Sequence, residues 1–167
     1  MPTLILIRHA KSDWGSGVAS DHARPLNARG QTAAPLIGTA LRDRGQSPTQ
    51  VLCSSAARAQ ETWAGIETAF TDPPAPEIVH SLYLAAPDTM LDILRSATGE
   101  TVAMVGHNPG IAALAAMLCA TGPDHDRFHD YPTGATLIAD VAGWSGLDAG
   151  QATVQHFFVP RDLAGHP

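Results

Sequence analysis

Basic and imidazole side chains follow three short apolar segments of the chain. Arg8 and His9 directly follow the first segment, Arg58 lies a few residues after the second, and His107 directly follows the third. A histidine can attack phosphorus as a nucleophile, and an arginine presents a fork of donors that matches phosphate oxygens. These residue types therefore indicate phosphoryl-group chemistry, provided that the fold brings the three positions together.

The three apolar segments predict strands that would position these side chains. Residues 4–7, 50–55 and 101–106 are typical of strands buried on both faces, and a helical pattern follows the second and the third. The carboxyl ends of parallel strands lie at one edge of a sheet, so two arginines and two histidines can converge there on one anion. We expect Asn108 to cap the third helix and Pro109 to be its first residue, which puts His107 ahead of a positive helix end.

Strands and helices alternate along the chain, which predicts an α/β fold. We expect a single domain over residues 1–167, built as a three-layer α/β/α sandwich around a mostly parallel sheet. Residues 12–26 form a polar loop, and Asn27 caps a helix that Gly45 ends. The predicted core positions of the helices are Ala33, Leu36, Ile37, Ala40 and Leu41, then Ala59, Trp63, Ile66 and Phe70, then Met90, Leu91 and Leu94, and finally Ile111, Leu114, Ala115 and Leu118. A short strand near residues 78–79 and two final strands, at 135–141 and 152–159, complete the pattern.

Several ordered segments resemble the histidine phosphatase superfamily over most of the chain. LILIRHAKSDW is similar to the first motif of that family, SSAARAQET to the second and VAMVGHNPG to the third. The segments 24–27 with Arg29 and Gly30, 82–83 and 131–135 resemble the short bacterial phosphohistidine phosphatases of the SixA type. The resemblance implies a phosphoglycerate mutase-like fold in which His9 is phosphorylated during turnover. It also implies that Arg8 and Arg58 clamp the phosphate and that His107 is the second histidine of the pocket.

Elementary chemistry supports the same roles. Neutral imidazole has a reference pKa of about 6.5, so His9 can attack phosphorus directly near neutral pH without a metal. Arg8, Arg58 and a protonated His107 would stabilise the charge that spreads over the phosphoryl oxygens during transfer. Water then attacks the phosphohistidine, and inorganic phosphate is released.

Four further side chains are candidates for substrate binding. Lys11 and Arg24 extend the positive rim or are simply solvated, and Ser12 donates a hydrogen bond to phosphate or is an ordinary turn residue. Asn108 follows His107 directly and is the fourth candidate.

Asp88 is the nearest carboxylate that could serve as a general acid. It lies just after Pro87, so we favour an acidic residue in the first turn of a helix over a catalytic acid. An alkyl phosphate must expel a strongly basic oxygen and gains greatly from a general acid. A phosphohistidine with its other ring nitrogen protonated expels neutral imidazole and needs no such help. The sequence therefore favours an N-phosphorylated substrate.

The composition of the chain limits the kinds of molecule that it can bind and the compartment in which we expect it. The chain has 10 Lys+Arg against 16 Asp+Glu, and its net charge of -6 disfavours a nucleic-acid or anionic-membrane surface. Cys53 and Cys119 lie in apolar stretches, which favours buried free thiols over a disulfide or a metal pair. We find no signal segment or membrane-spanning run and expect a cytoplasmic protein.

The pair His125 and His129 could hold zinc if it lay on a helix, but nothing else completes such a site, so we expect a polar surface loop beside the pocket.

No metal or other cofactor is expected. The favoured partner is a histidine-phosphorylated protein domain. Two alternatives stay open: a phosphomonoesterase that acts on a sugar phosphate or nucleotide with Asp88 as its acid, and a non-catalytic module that binds a phosphorylated ligand. The second alternative has no use for a nucleophile such as His9.

Overall fold

The computed structural model describes residues 1–166 and shows one six-stranded sheet with helices on both faces. The strands are β1 (Thr3–Arg8), β2 (Gln50–Ser54), β3 (Glu77–Val79), β4 (Thr101–Gly106), β5 (Thr136–Asp140) and β6 (Thr153–Phe158). The α-helices are α1 (Ala28–Asp43), α2 (Ala57–Ile66), α3 (Pro87–Arg95) and α4 (Gly110–Leu118). Short 3-10 helices span Glu67–Ala69, His80–Leu82 and Pro160–Asp162.

The order of the strands brings the three predicted strand ends together. The sheet runs β3-β2-β4-β1-β5-β6, and the first four strands in this order are parallel to one another. Strand β5 is antiparallel to both β1 and β6. Arg8 pairs with Gly106, so the carboxyl ends of β1 and β4 are level with each other. The predicted α/β class with a mostly parallel sheet is confirmed.

The four aliphatic residues of β1 show why the sheet needs helices on both faces. Leu4 and Leu6 point into a core formed with α3 and α4, whereas Ile5 and Ile7 point into a core formed with α1 and α2. All four side chains are completely buried. Successive side chains of a strand face opposite sides of the sheet, so an unbroken apolar run requires a covered surface on each side. The result is the predicted three-layer sandwich.

Helix α1 starts and ends as the sequence predicts. The side chain of Asn27 accepts a hydrogen bond of 2.9 Å from the backbone N–H of Gly30, and Gly45 follows the helix with a φ of +72°. Gly30 also permits a close approach of this helix to the chain beyond β1. A Cβ atom at Gly30 would lie 2.1 Å from the carbonyl oxygen of Lys11, so no side chain fits there.

Three predictions about helices need correction. Helix α4 begins at Gly110 and Pro109 is its cap, so Asn108 is not the N-cap. Nδ2 of Asn108 instead donates hydrogen bonds to the carbonyl oxygens of Asp130 and Tyr131, at 2.9 and 3.1 Å, and Oδ1, the atom that a cap would use as acceptor, is buried with no hydrogen-bond partner within residues 1–166. Phe70 lies beyond α2 and the 3-10 turn that follows it and is half-buried, because the helical spacing of α2 ends at Ile66. In α1, Leu36 is also only half-buried, and the small residues Ala34 and Gly38 pack in the core instead.

Both cysteines are buried free thiols, as expected. Burial raises the pKa of Cys53 to about 12 and that of Cys119 to about 11, so neither is a reactive thiolate near neutral pH. None of the helices within residues 1–166 is long and apolar enough to cross a membrane.

Candidate active site

The ends of β1, β2 and β4 place two histidines and two arginines around one cavity. The ring centroids of His9 and His107 are 5.2 Å apart, and Nε of Arg58 lies 3.4 Å from Nε2 of His9. His9, Arg58 and His107 are all at least 95% buried. We call this space of about 440 Å³ the His9 cavity; it is lined by Arg8, His9, Lys11, Ser12, Trp14, Asp21, Arg24, Arg58, Leu84, His107, Asn108 and Thr133.

The hydrogen bonds of His9 decide which of its nitrogens faces the cavity as a base. Nδ1 lies 2.7 Å from the carbonyl oxygen of Ala10, which can only accept a hydrogen bond, so Nδ1 carries the proton. The lone pair is therefore on Nε2, the atom that Arg58 approaches. The hydroxyl of Thr62 supports this arrangement, since it accepts from the N–H of Ala10 at 2.9 Å and donates to the carbonyl oxygen of Arg58 at 2.7 Å.

Burial lowers the pKa of His9 to about 3, and the hydrogen bond to Ala10 opposes this only in part. The neighbouring His107, Arg8 and Arg58 lower this pKa further, because a positive charge on His9 would face other positive groups. His9 is therefore neutral at neutral pH. An unprotonated Nε2 that points into a basic cavity has the state that a nucleophile toward phosphorus requires.

His107 is neutral as well in this structure, so the protonated His107 expected during phosphoryl transfer stays a prediction for the substrate-bound state. Burial lowers its pKa to about 4, and Arg58 and Arg8 contribute in the same direction, while Asp21 opposes them. Its Nε2 lies 2.7 Å from Oγ of Ser54, at the end of β2. Its Nδ1 is buried and has no hydrogen-bond partner within residues 1–166. The sequence shows the histidine but not the neighbours that set its charge.

Arg8 keeps unused donors next to the histidines. One Nη of Arg8 donates to the carbonyl oxygen of Tyr131 at 3.2 Å, whereas its buried Nε has no partner among the described residues. Burial and the nearby Arg58 both lower the pKa of Arg8, which means that the two guanidinium groups repel each other. An anion placed between them would relieve this repulsion and satisfy the free donors.

Asp21 is the site residue that the sequence analysis missed. The second guanidinium nitrogen of Arg58 lies 3.1 Å from Oδ2 of Asp21, and an Nη of Arg24 lies 2.9 Å from Oδ1. The hydroxyl of Tyr83 donates to the same carboxylate. Hydrogen bonds from Tyr83, Arg24 and Arg58 hold the pKa of Asp21 well below its usual range, so it is ionised. Asp21 lies in the polar loop 12–26, where its spacing from Arg24 was the only available signal.

Arg24 is tied into the same network rather than solvated. It is 93% buried, donates to Oγ of Ser12, and lies with its guanidinium 3.6 Å from the ring centroid of Trp14. Ser12 is therefore a partner of Arg24 in this structure. Lys11 is exposed and lines the His9 cavity, as does the side chain of Asn108.

Asp88 lies outside the His9 cavity. It is exposed and occupies the first turn of α3, directly after Pro87. This is the helix position that the sequence favours for it, since an acidic residue there interacts well with the positive end of the helix.

The loop that carries His125 and His129 forms no metal site. Nδ1 of His125 accepts from the N–H of Arg127 at 3.0 Å, and Nε2 lies 2.8 Å from Asp162, so both nitrogens are already used. Residues 1–166 contain no group of three His, Cys, Asp or Glu side chains that could hold a metal ion. The side chain of Arg127 nevertheless reaches a second cavity beside the first.

Comparisons with known proteins identify the family of this chain. Residues 4–82 match the histidine phosphatase superfamily (branch 1). An uncharacterised protein of Mycobacterium tuberculosis is 38% identical over 165 residues, which cover 93% of this chain and 100% of the relative. A protein of Mycobacterium leprae, also uncharacterised, is 35% identical over 167 residues with the same coverage. The chain therefore belongs to the histidine phosphatase superfamily.

Within that superfamily, the similar solved structures include phosphohistidine phosphatases named SixA. A structure assigned to SixA of Nakamurella multipartita has a TM-score of 0.82 and 28% identity, and the match covers 95% of this chain and 96% of that one. The protein histidine phosphatase SixA in complex with tungstate has a TM-score of 0.79 and 21% identity, with coverage of 96% and 98%. At this lower identity the second likeness shows the fold alone.

Proposed function

We propose that this protein is a phosphatase that transfers a phosphoryl group to Nε2 of His9 and then to water. The observation that carries the proposal is the state of His9. Its Nδ1 proton is held by the carbonyl oxygen of Ala10, and its neutral Nε2 faces a cavity lined by Arg8 and Arg58. A module that only binds a phosphorylated ligand needs the cations but gains nothing from an oriented nucleophile.

In the first step, a bond forms between Nε2 of His9 and phosphorus while the bond from phosphorus to the leaving group breaks. Arg8 and Arg58 both line the cavity and stabilise the negative charge on the phosphoryl oxygens. The buried Nε of Arg8 has no partner within residues 1–166, whereas the three nitrogens of Arg58 contact His9 and Asp21 and must turn to the phosphate when it binds. In the second step, water attacks the phosphohistidine, inorganic phosphate leaves, and His9 regains its lone pair. The residues assigned to these steps require no metal and no other cofactor.

His107 changes its charge when a phosphate group arrives. The cations Arg58 and Arg8 help to keep it neutral in this structure, but a phosphate dianion beside it raises its pKa toward the ordinary value. His107 then donates a hydrogen bond from a protonated ring to a phosphoryl oxygen. Its buried and unpartnered Nδ1 is a nitrogen available for this contact.

The preferred substrate is a phosphohistidine in a protein. Asp88 lies outside the cavity, and Asp21 is ionised and held by three donors, so neither carboxyl is suited to protonate a departing alkoxide. A phosphohistidine avoids this need because it releases a neutral imidazole. The similarity at 28% identity to a structure assigned as a SixA phosphohistidine phosphatase supports the same choice.

A small phosphate ester is the second candidate substrate. Once His107 is protonated, its proton lies close to the phosphoryl group and can pass to an alkoxide leaving group. The relative rates on a phosphohistidine peptide and on an alkyl phosphate decide between the two substrates. Turnover of the alkyl phosphate at a similar or higher kcat/KM would contradict the preference for phosphohistidine.

The mechanism is tested by trapping the covalent intermediate. The enzyme is mixed with a phosphohistidine peptide labelled on phosphorus and quenched in base, where phosphohistidine is stable. We expect label on the wild-type protein and none on His9→Ala, which should also be inactive. His156→Ala is the matched control, since His156 is an exposed histidine on β6. An active His9→Ala protein would refute the mechanism, and binding without turnover in the wild type would favour the binding module.

A further inference from the structure

A second cavity lies directly beside the His9 cavity. It has a volume of about 390 Å³, and Lys11 and Thr133 line both spaces. Arg29, Arg127 and Arg161 bring three more cations to its wall. We call it the Arg29 cavity.

The charge of these two cavities is opposite to that of the protein. The chain has a net charge of -6, with 16 acidic residues and 10 lysines and arginines. Seven of the ten basic residues line one or both cavities, whereas Asp21 is the one acidic residue along the described walls. A random distribution of charge would place acidic side chains there more often than basic ones. The positive charge is therefore concentrated around these adjoining spaces.

Arg29 occupies a helix position that is unfavourable for a positive charge. It lies in the first turn of α1, which has no acidic residue, and a cation at this end is opposed by the helix dipole. Gly30 packs the same turn against the backbone of Lys11, and the N–H of Asn27 donates to the carbonyl oxygen of Lys11 at 3.0 Å. These contacts hold the first turn of α1 beside Lys11. Helix stability does not explain why arginine stands at this position.

Most of the cations in the Arg29 cavity lack a partner. Within residues 1–166, Lys11, Arg29 and Arg161 have no carboxylate within 4.0 Å, and Arg127 alone pairs, with Asp130 at 3.0 Å. Asp162 follows Arg161 in the chain, but its carboxylate does not pair with it. The carboxylate instead accepts hydrogen bonds from His125 at 2.8 Å and from the backbone N–H of Val159 at 3.0 Å. Three positive charges are therefore available to an anion that enters this space.

We infer that the Arg29 cavity is a second anion subsite, which binds a carboxylate or phosphate group of the same substrate whose phosphoryl group goes to His9. Lys11 and Thr133 line both cavities, so the two spaces adjoin, and a substrate that extends across these residues reaches both. This inference rests on the proposed function for the identity of the first anion. With a protein substrate, the second anion is an acidic side chain near the phosphohistidine. With a small ester, it is a second phosphate.

The test compares substrates that differ only in the second anionic group. One pair consists of a phosphohistidine peptide with Asp and Glu beside the histidine and the same peptide with Asn and Gln. The other pair consists of a diol carrying two phosphates and the same diol carrying one. The variants are Arg29→Gln and the double variant that adds Arg161→Gln. Arg42→Gln is the matched control, because Arg42 is an exposed arginine in the last turn of the same helix.

We expect the double variant to raise KM about fourfold to twenty-fivefold for the substrate with the second anion, since each exposed ion pair changes a binding constant by about two- to fivefold. The substrate without it should keep its KM, and kcat should change little for either. Added salt should raise the KM of the wild type for the first substrate and have less effect on the double variant. Arg29→Gln should not lower Tm, because it removes an unfavourable charge from the helix end.

Equal effects of the double variant on both members of each pair, or no effect on any substrate, would overturn the subsite. An effect of Arg42→Gln as large as that of Arg29→Gln would overturn it too, since only general charge would then matter. If no phosphohistidine peptide is turned over, the proposed substrate fails, and the diol pair still decides the subsite. Selectivity in the peptide pair alone assigns the second anion to a protein, and selectivity in the diol pair alone assigns it to a small ester.

Discussion

Acidification should destabilise this protein through the two buried histidines of the site. The pKa of His9 is about 3 and that of His107 about 4, whereas a histidine in the unfolded chain has a pKa of about 6.5. Below pH 6.5, His9 and His107 therefore each bind a proton in the unfolded chain but not in the folded protein. Stability is fully present above that pH and is lost as the pH falls, down to the folded pKa values.

The magnitude follows from these pKa values. Between pH 7.5 and 5.5, each histidine should cost about 1.4 kcal/mol of unfolding free energy, and the pair about 2.7 kcal/mol. This window lies above the titration of carboxyl groups, so Asp21, whose pKa is held well below its usual range, stays ionised in both states. The loss in this window therefore reports on imidazole groups.

The assay is urea unfolding at both pH values, followed by tryptophan fluorescence. His9→Asn keeps a donor for the carbonyl oxygen of Ala10, and His107→Gln keeps a polar group that reaches Ser54, so both variants preserve hydrogen bonds of the folded site. Each single variant should lose about 1.4 kcal/mol less than the wild type over the window, and the double variant about 2.7 kcal/mol less. Equal losses in the wild type and the double variant would refute the reasoning, because the two imidazoles would then titrate alike in the folded and unfolded states.

Three further results are expected. Arg58→Lys keeps the charge but loses the forked donor, so steady-state kinetics should show kcat/KM lower by about tenfold to a thousandfold; unchanged activity with a lower Tm would make Arg58 structural. Asp88→Asn should leave phosphohistidine hydrolysis nearly unchanged, since Asp88 lies outside the His9 cavity; a large loss would give it a catalytic or positioning role. Treatment with a chelator should not change the rate, whereas inactivation would point to a metal and return attention to His125 and His129.

The local parts of the site were predictable from the sequence. Residues 4–7 are continuously apolar, which requires a strand covered on both faces, and such a strand carries His9 to the edge where ligands bind. The same reasoning placed Arg58 and His107, because each follows its own apolar strand. The cap at Asn27 was predictable for a similar reason, since its hydrogen bond reaches only three residues along the chain.

Contacts between distant parts of the chain decided the rest. Asp21 meets Arg58 and Tyr83 only because the loop 12–26 folds over the ends of the strands, and no short-range pattern encodes that path. Asn108 does not cap α4, because Nδ2 is held by carbonyl groups 22 and 23 residues away and Oδ1 does not accept a hydrogen bond from the helix.

The sequence by itself determined which groups reach the edge of the sheet, because strand and helix periodicity depend on near neighbours. The tertiary structure determined the charge of these groups and which side chains surround them. Burial and nearby guanidinium groups make His9 and His107 neutral, and packing of the first turn of α1 against Lys11 creates the Arg29 cavity. Desolvation and electrostatic fields sum over every atom around a group, so they exist only once the chain has folded.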